Sequence, residues 1–543
     1  MRKPALRRWV DLICSWRLLL LVCVVNVAHA ATPYTACDTP LTRPLQPLSS
    51  GWSRDLQQTR DTDAEQAGIT ADTLPRLQLK WAFAFKGAEQ PRSLPAITQT
   101  AIFVGSQEGA LWAMDRKTGC VYWRHEARKK IRSAVSVVDT AEHSWVFFGD
   151  DDGYVYALDA VTGALQWEAV VDAHPAAVIT GSPVFHDGFL YVPASSMEVT
   201  SAMNPFYDCC VFRGSVSKFN AATGERVWQY YTIPDHPREQ QRNWLGVTQF
   251  SPSGAAVWSS PTIDVQRNRL YVGCGQNYSG PADSNSDAIH AVDLTTGQRV
   301  WRKQFLAMDA WNAACQLGPL GFNCPQDNGP DYDFGAPPIL VNRVDGTPVL
   351  VAGQKSGMVY AMNPDTGDVL WSQSVGRGGM LGGVHWGMAA DSQAVYAPIS
   401  DYDIAVVTPP PGEPKPSLAK LDLLTGRIVW QVPAVFDCRD ETGSQIKGCR
   451  SGLSAAISLI PGAVLAPGLD GVIHAYRRED GKEIWHWDTK RRMPSVNGIT
   501  AEGGTLDAGG VVAVDGQLFL HAGYGGLISA GGRSGNAFIV LGQ

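Results

Sequence analysis

The chain has 543 residues and a formal net charge of −7 at pH 7, with 45% of its residues hydrophobic. The acidic balance argues against a nucleic-acid partner. The length exceeds the usual single domain, unless the fold grows by repetition. At the N-terminus, Arg2, Lys3, Arg7, Arg8 and Arg17 precede an apolar run from Leu18 to Val25, then Ala28-His29-Ala30. That is the pattern of a secretory signal peptide, expected over residues 1–30, with the mature chain a single domain over 31–543 in the periplasm. The run is too short to span a bilayer comfortably, and no other stretch is long and apolar enough. Val22 before Cys23 is not the small residue of a lipoprotein signal. Residues 1–30 carry five Arg or Lys and one Asp, so the chain without them carries −11.

Beyond the leader, one phrase recurs. Its core, D-x-x-T-G-x-x-x-W, is cleanest at Asp159/Thr162-Gly163/Trp167 and returns at Trp123, Trp301 and Trp430. Asn replaces Asp before Trp228 and Trp371, a worn copy ends in Asp480-Gly481 and Trp485, and Trp81 stands without a preceding T-G. Period-two alternation on both sides of a T-G turn predicts a hairpin whose second strand ends at the Trp. A second strand pair lies upstream, as in Ser182–Phe185 and Phe189–Val192. Four strands per unit and eight tags spaced 42 to 73 residues apart predict an all-β, eight-bladed β-propeller. The tryptophans are expected to pack between blades. Trp81 and the terminal strand Asn536–Leu541 are expected to share one blade and close the ring, which removes exposed edges.

Nine cysteines follow the leader. Export favours disulfides, and Cys315–Cys324, Cys438–Cys449 and Cys37–Cys120 are the expected pairs. Cys274 is expected to be a buried thiol, and Cys209-Cys210 are adjacent. There is no C-x-x-C-H, so no covalently attached haem is expected within these residues.

The longest spacings fall between Trp167 and Trp371, and loops inserted on one face of a propeller carry function. They include Ile179–Pro183, Ala194–Glu198, Ala256–Ser260, Gly273–Tyr278, Met308–Asn312 and Gly353–Gly357. With Asn328–Gly335 and Gly376–Met388, these segments resemble the pyrroloquinoline quinone (PQQ) dependent alcohol dehydrogenases, most closely the polyvinyl alcohol dehydrogenase branch. The resemblance covers essentially all of the chain after the leader.

The resemblance implies PQQ and Ca²⁺ as cofactors. Trp258 matches the tryptophan that stacks on PQQ, Thr180, Ser195 and Ser196 match residues at its carboxylates, and Lys355 matches the basic residue near its quinone oxygens. Tyr524, in Gly523-Tyr524-Gly525-Gly526, stands where the family has Trp. His385 either lines the pocket or packs in the core. Glu198, Asn277 and Asp309 are the expected calcium ligands, with Gln276 or Asn277 facing the metal. Asn312 occupies the place of the family's catalytic Asp, so Asp309 is the expected base. The function implied is oxidation of secondary alcohols to ketones, polymeric vinyl-type alcohols among them, with electrons passed to an external cytochrome c. The alternatives are a non-enzymatic scaffold resembling the propeller lipoprotein of outer-membrane barrel assembly, and a PQQ-type fold that has lost its metal site.

Overall fold

The computed structural model describes residues 34–402, 410–440, 442–446, 449–525 and 532–543. The expected signal peptide lies outside them. Eight antiparallel sheets follow one another in sequence, each built on a four-stranded meander, and together they make an eight-bladed β-propeller. Helix among the described residues is limited to Ala64–Ala67, Glu198–Ser201 and two 3-10 segments.

The second blade shows how the repeated phrase works. Tyr154–Asp159 and Leu165–Val170 pair antiparallel. Asp159 Oδ1 accepts the amide N–H and the hydroxyl of Thr162, both at 2.7 Å, and Gly163 turns the chain at φ 74°. Only glycine takes that φ without strain. A register shift between Leu165 and Trp167 makes a bulge, and the strand continues to Val170. The strand therefore runs past its Trp, where the sequence pattern alone ended it.

The bulge aims the indole at the next blade. Trp167 Nε1 donates to the Ala221 carbonyl at 2.9 Å, and a Cβ on Gly224, the T-G glycine of that blade, would lie 2.6 Å from the Trp167 ring. Trp81, Trp123, Trp228, Trp301, Trp371 and Trp430 repeat the bond to the following blade at 3.0–3.2 Å. The T-G glycine thus serves two needs, the turn and the seat of its neighbour's tryptophan.

The last blade closes the ring. Gln78–Ala84 pairs with Ala537–Gly542, which pairs with Gln517–Ala522 and then Val511–Val514. Phe538, Ile539, Val540 and Leu541 are fully buried there. Apolar clusters lie between successive blades; Val349, Val351 and Val359 of the fifth pack with Val395, Ala397 and Ala419 of the sixth.

The cysteines pair as Cys37–Cys120, Cys209–Cys210, Cys315–Cys324 and Cys438–Cys449, leaving Cys274 buried and free. Between the third and fourth blades a separate hairpin, Arg238–Arg242 with Thr248–Ser251, projects from the inserted loop.

Candidate active site

Loops at one end of the blades enclose a cavity of about 380 Å³. Its walls come from the second, third and fourth blades and their connections, from the loops after Pro348–Gly353 and before Ala389–Ala390, and from both sides of the closing blade. It lies where the blades converge. Thr180, Ser195, Ser196, Trp258, Lys355, His385 and Tyr524 all line it.

Trp258 is half-buried. Its Nε1 donates to Asp333 Oδ2 at 2.9 Å. Trp386 and His385 meet it edge-on, with ring centroids 5.2 and 5.7 Å away. A Cβ on Gly335 would fall 1.9 Å from the Trp258 ring, so only glycine lets the chain pass that edge. The indole lines the cavity, where it can meet a planar partner.

Beside Trp258 lies a buried charged group. Lys355 Nζ is 3.0 Å from Asp331 Oδ2, 3.1 Å from Asp333 Oδ2 and 5.5 Å from the Trp258 ring centroid. Burial works against the ammonium, but the two carboxylates outweigh it and hold the Lys355 pKa above its ordinary value. Burial, with Asp333 and Asp309 close by, pushes the Asp331 carboxyl well up, against the pull of Lys355. His385 is driven down to about 3 by burial, then by Lys355 and Arg132, so its ring is neutral. Its Nδ1 lies 2.8 Å from Ser454 Oγ.

Part of the wall is cationic. Arg92, Lys130 and Arg132 line it, with Arg92 over the Tyr524 ring at 4.4 Å and Arg132 over Trp386 at 5.7 Å. Asp507 faces both arginines; burial raises its pKa to about 6. Arg92 Nε and Trp386 Nε1 are buried without a partner. Buried donors of this kind call for an acceptor that the protein chain does not supply.

Four expected site residues are not on the cavity wall. Asp309 is fully buried behind it, accepting from the backbone N–H of Asp331 at 3.2 Å and of Tyr332 at 2.9 Å. Burial raises its pKa to about 6. Asn312 caps the 3-10 segment Ala313–Leu320: its Oδ1 accepts from Ala314 N, and its Nδ2 donates to the carbonyls of Tyr278 and Asn323. Every polar atom of that amide is used in folding the loop. Glu198 accepts from Val211 N at 2.9 Å, Phe212 N at 2.8 Å and the Tyr207 hydroxyl at 3.1 Å, with His174 Nε2 at 3.3 Å. It ties down the segment after Cys209-Cys210. Asn277 turns its side chain to Ser253 and Asp283, whereas Gln276 lines the cavity.

Each of the three expected calcium ligands is thus hydrogen-bonded to other groups of the chain. Among the described residues no three acidic, His or Cys side chains are grouped to hold a metal.

The residues that sequence reasoning missed are Arg92, Lys130, Arg132, Asp331, Asp333 and Asp507. Asp331 and Asp333 sit in the Asn328–Gly335 segment that carried the family resemblance, and their alternation around Tyr332 was the available signal. The three cations lie on short loops of plain blades, where nothing in the pattern distinguishes them from solvated charges.

A propeller whose axial cavity joins an indole to a Lys–Asp pair and to arginines has the makings of a quinoprotein dehydrogenase. The family profile described as glucose/ethanol/alcohol dehydrogenase, beta-propeller domain (PQQ) matches residues 50–374, and the chain belongs to the PQQ-dependent alcohol dehydrogenase family. It is 37% identical to a polyvinylalcohol dehydrogenase of Pseudomonas sp over 91% of this chain and 76% of that one. The identity is also 37% to that of Sphingopyxis sp. (strain 113P3), over 89% and 74%. The quinohemoprotein alcohol dehydrogenase of Comamonas testosteroni shares the fold, with TM-score 0.65 at 18% identity over 91% of this chain and 80% of that one. A profile described as outer membrane protein assembly factor BamB matches residues 285–538, less than half the chain. The protein is thus a quinoprotein dehydrogenase, and the scaffold reading is the weaker one.

Proposed function

We propose that the protein oxidises secondary alcohols, including the repeating hydroxyls of a vinyl-alcohol polymer, to ketones in the periplasm. Residues 1–30 direct export, residues 31–543 act as one propeller domain, and a separate c-type cytochrome accepts the electrons. The substrate class is carried by the similarity to the two polyvinylalcohol dehydrogenases. The observation that carries the chemistry is the Lys355–Asp331 pair beside Trp258 on the cavity wall.

The cavity suits PQQ, a flat o-quinone bearing three carboxylates. Trp258 would take its ring, Arg92, Lys130 and Arg132 its carboxylates with Thr180 and Ser195, and Lys355 its quinone oxygens. PQQ, when bound, supplies a two-electron acceptor for the hydride leaving the carbinol carbon. Asp331 takes the hydroxyl proton. Of the carboxylates that line the cavity it is the one paired with Lys355 whose pKa burial raises, and a raised pKa makes a carboxylate a stronger base. Lys355 holds that carboxylate in place. Asp309, expected as the base, instead fixes the backbone of Asp331 and Tyr332. The calcium implied by the resemblance receives no step here, because Glu198, Asn277 and Asp309 are turned to other partners.

The test is dye reduction by purified protein after addition of PQQ, with and without Ca²⁺, using short secondary alcohols. Turnover that requires PQQ supports the reading. No reduction under any of these conditions, with PQQ shown to be bound, overturns it.

A further inference from the structure

Two more cavities open beside the reaction cavity. The nearer, of about 330 Å³, shares Trp311 with it. The wall between them alternates: Asp331 and Asp333 line the reaction cavity, and Tyr332 lines the nearer outer one. The farther, of about 440 Å³, continues along the same segment, since Asn328 lines one and Asp327 the other. The Cys315–Cys324 loop divides them. Cys315 lines the nearer cavity, and Asn323 and Pro325, on either side of Cys324, line the farther.

The chemistry of these two cavities differs from that of the reaction cavity. No Lys, Arg or His lines either, among the described residues, whereas four cations line the reaction cavity. The polar side chains are mostly amides: Gln316 and Asn328 in the nearer cavity, Gln240, Gln241, Gln249 and Gln326 in the farther. Two of these are ordered by each other. Gln241 Nε2 donates to Gln249 Oε1 at 2.8 Å, and Gln249 Nε2 donates to the Phe322 carbonyl at 3.1 Å. An amide offers both a donor and an acceptor, which is what a hydroxyl needs from a partner. A wall without cations gives nothing to an anionic ligand. A short alcohol occupies only the reaction cavity and has no use for a further row of amides.

We propose that the two outer cavities are subsites for a neutral polyhydroxylated chain, holding the units beyond the reacting carbinol so that an internal hydroxyl is oxidised. This rests on the alcohol dehydrogenase reading above and names its substrate as a polymer. Binding at such remote subsites adds to kcat/KM without touching the reacting atoms.

The experiment compares PQQ-loaded wild type with the double variant Gln240→Leu/Gln326→Leu. Both side chains are exposed and neither touches the reaction cavity. Substrates are a short secondary alcohol and vinyl alcohol oligomers of increasing length up to the polymer. Wild-type kcat/KM is expected to rise with length and then level. The double variant is expected to lower kcat/KM for the polymer about tenfold, the loss of two ordinary hydrogen bonds, mainly through KM. Its turnover of the short alcohol stays unchanged, which also shows that it is folded. Equal effects on both substrates, or none on either, overturn the proposal. If wild type turns over neither substrate, the dehydrogenase reading fails, and equilibrium dialysis against labelled poly(vinyl alcohol) decides the subsites separately. Binding that the variant loses sustains them; equal binding, or no binding by wild type, overturns them.

Discussion

Trp167 and Trp258 are the same residue in the same ring, put to opposite uses. Trp167 is held wholly by its own chain: the indole N–H meets the Ala221 carbonyl, and the ring lies against Gly224 of the next blade. Trp258 is held differently. Its N–H meets the Asp333 carboxylate, Trp386 and His385 stand edge-on, and Gly335 clears its rim. Both need a glycine for a close approach. In the blade, all that contact goes into joining repeats. At the axis, the same kind of contact fixes the ring orientation while the indole lines the cavity. A substitution at the first should be read in stability, and one at the second in affinity or turnover.

The largest expected effect sharpens this contrast within the axial loops. Asp331→Asn should keep PQQ binding, measured by quenching of protein fluorescence, while turnover falls about 10²- to 10⁴-fold, the usual contribution of a general base. Asp309→Asn should cost less, because Asp309 acts through the backbone it holds. If Asp309→Asn loses as much turnover as Asp331→Asn with PQQ still bound, Asp309 is the base after all. Next comes the cationic wall. Arg132 is disfavoured as a cation by burial and then by Arg92, so a bound carboxylate relieves both. Arg132→Ala should weaken PQQ binding roughly 10- to 100-fold, the range of a hydrogen bond to a charged group. Unchanged affinity would remove this wall from the cofactor site.

The third test sets blade against axis directly. Gly224→Ala adds a Cβ at φ 72° and against Trp167, and should cost about 1–3 kcal/mol in denaturant unfolding with PQQ affinity unchanged. Trp258→Ala should leave the unfolding midpoint nearly unmoved and weaken PQQ by a few-fold to tenfold, since stacking contributes roughly 0.5–1.5 kcal/mol beyond buried area. A reversed pattern would erase the distinction between the two tryptophans.

The ring was legible because its signal is repeated. Seven indoles obey one rule, and each copy corrects the others. The closing blade was legible for the same reason, since Trp81 has the tag without a hairpin and Asn536–Leu541 has a strand without a partner. The site is not repeated, and legibility there depended on chemistry. Trp258 and Lys355 were placed by the family resemblance, and both line the cavity. Asp309 and Asn312 were placed by matching Trp311 to a motif tryptophan. The fold instead sends the chain behind the wall there and brings it back to the cavity at Asp331. Glu198 and Asn277 look like hard oxygen donors in sequence, yet nearby N–H groups take their oxygens. Arg92 gave no sign, because a one-residue charge on a loop has no period to read, and Arg132 ends the basic run Arg128-Lys129-Lys130-Ile131-Arg132, which reads equally as a solvated turn.

The smallest effect lies in the seventh blade, away from the cavity. His474 is buried between Glu483 Oε1 at 2.8 Å from its Nδ1 and Asp470 Oδ2 at 3.3 Å from its Nε2. Burial opposes its charge, but bonding to the two carboxylates outweighs this and raises its pKa above the ordinary value. A histidine whose pKa is raised on folding stabilises the fold most when it is protonated in both states. That contribution is complete below about pH 6.5, the unperturbed histidine value, and fades as pH rises through the raised folded value. Thermal unfolding of wild type should therefore lose a small increment of stability on passing from mildly acidic to alkaline pH. His474→Gln should lack that increment, with the two proteins differing most at low pH and converging at high pH. PQQ affinity at fixed pH should be the same for both, because neither His474 nor its partners line the cavity. A difference between the two proteins that grows toward alkaline pH would mean the imidazole is neutral in the fold.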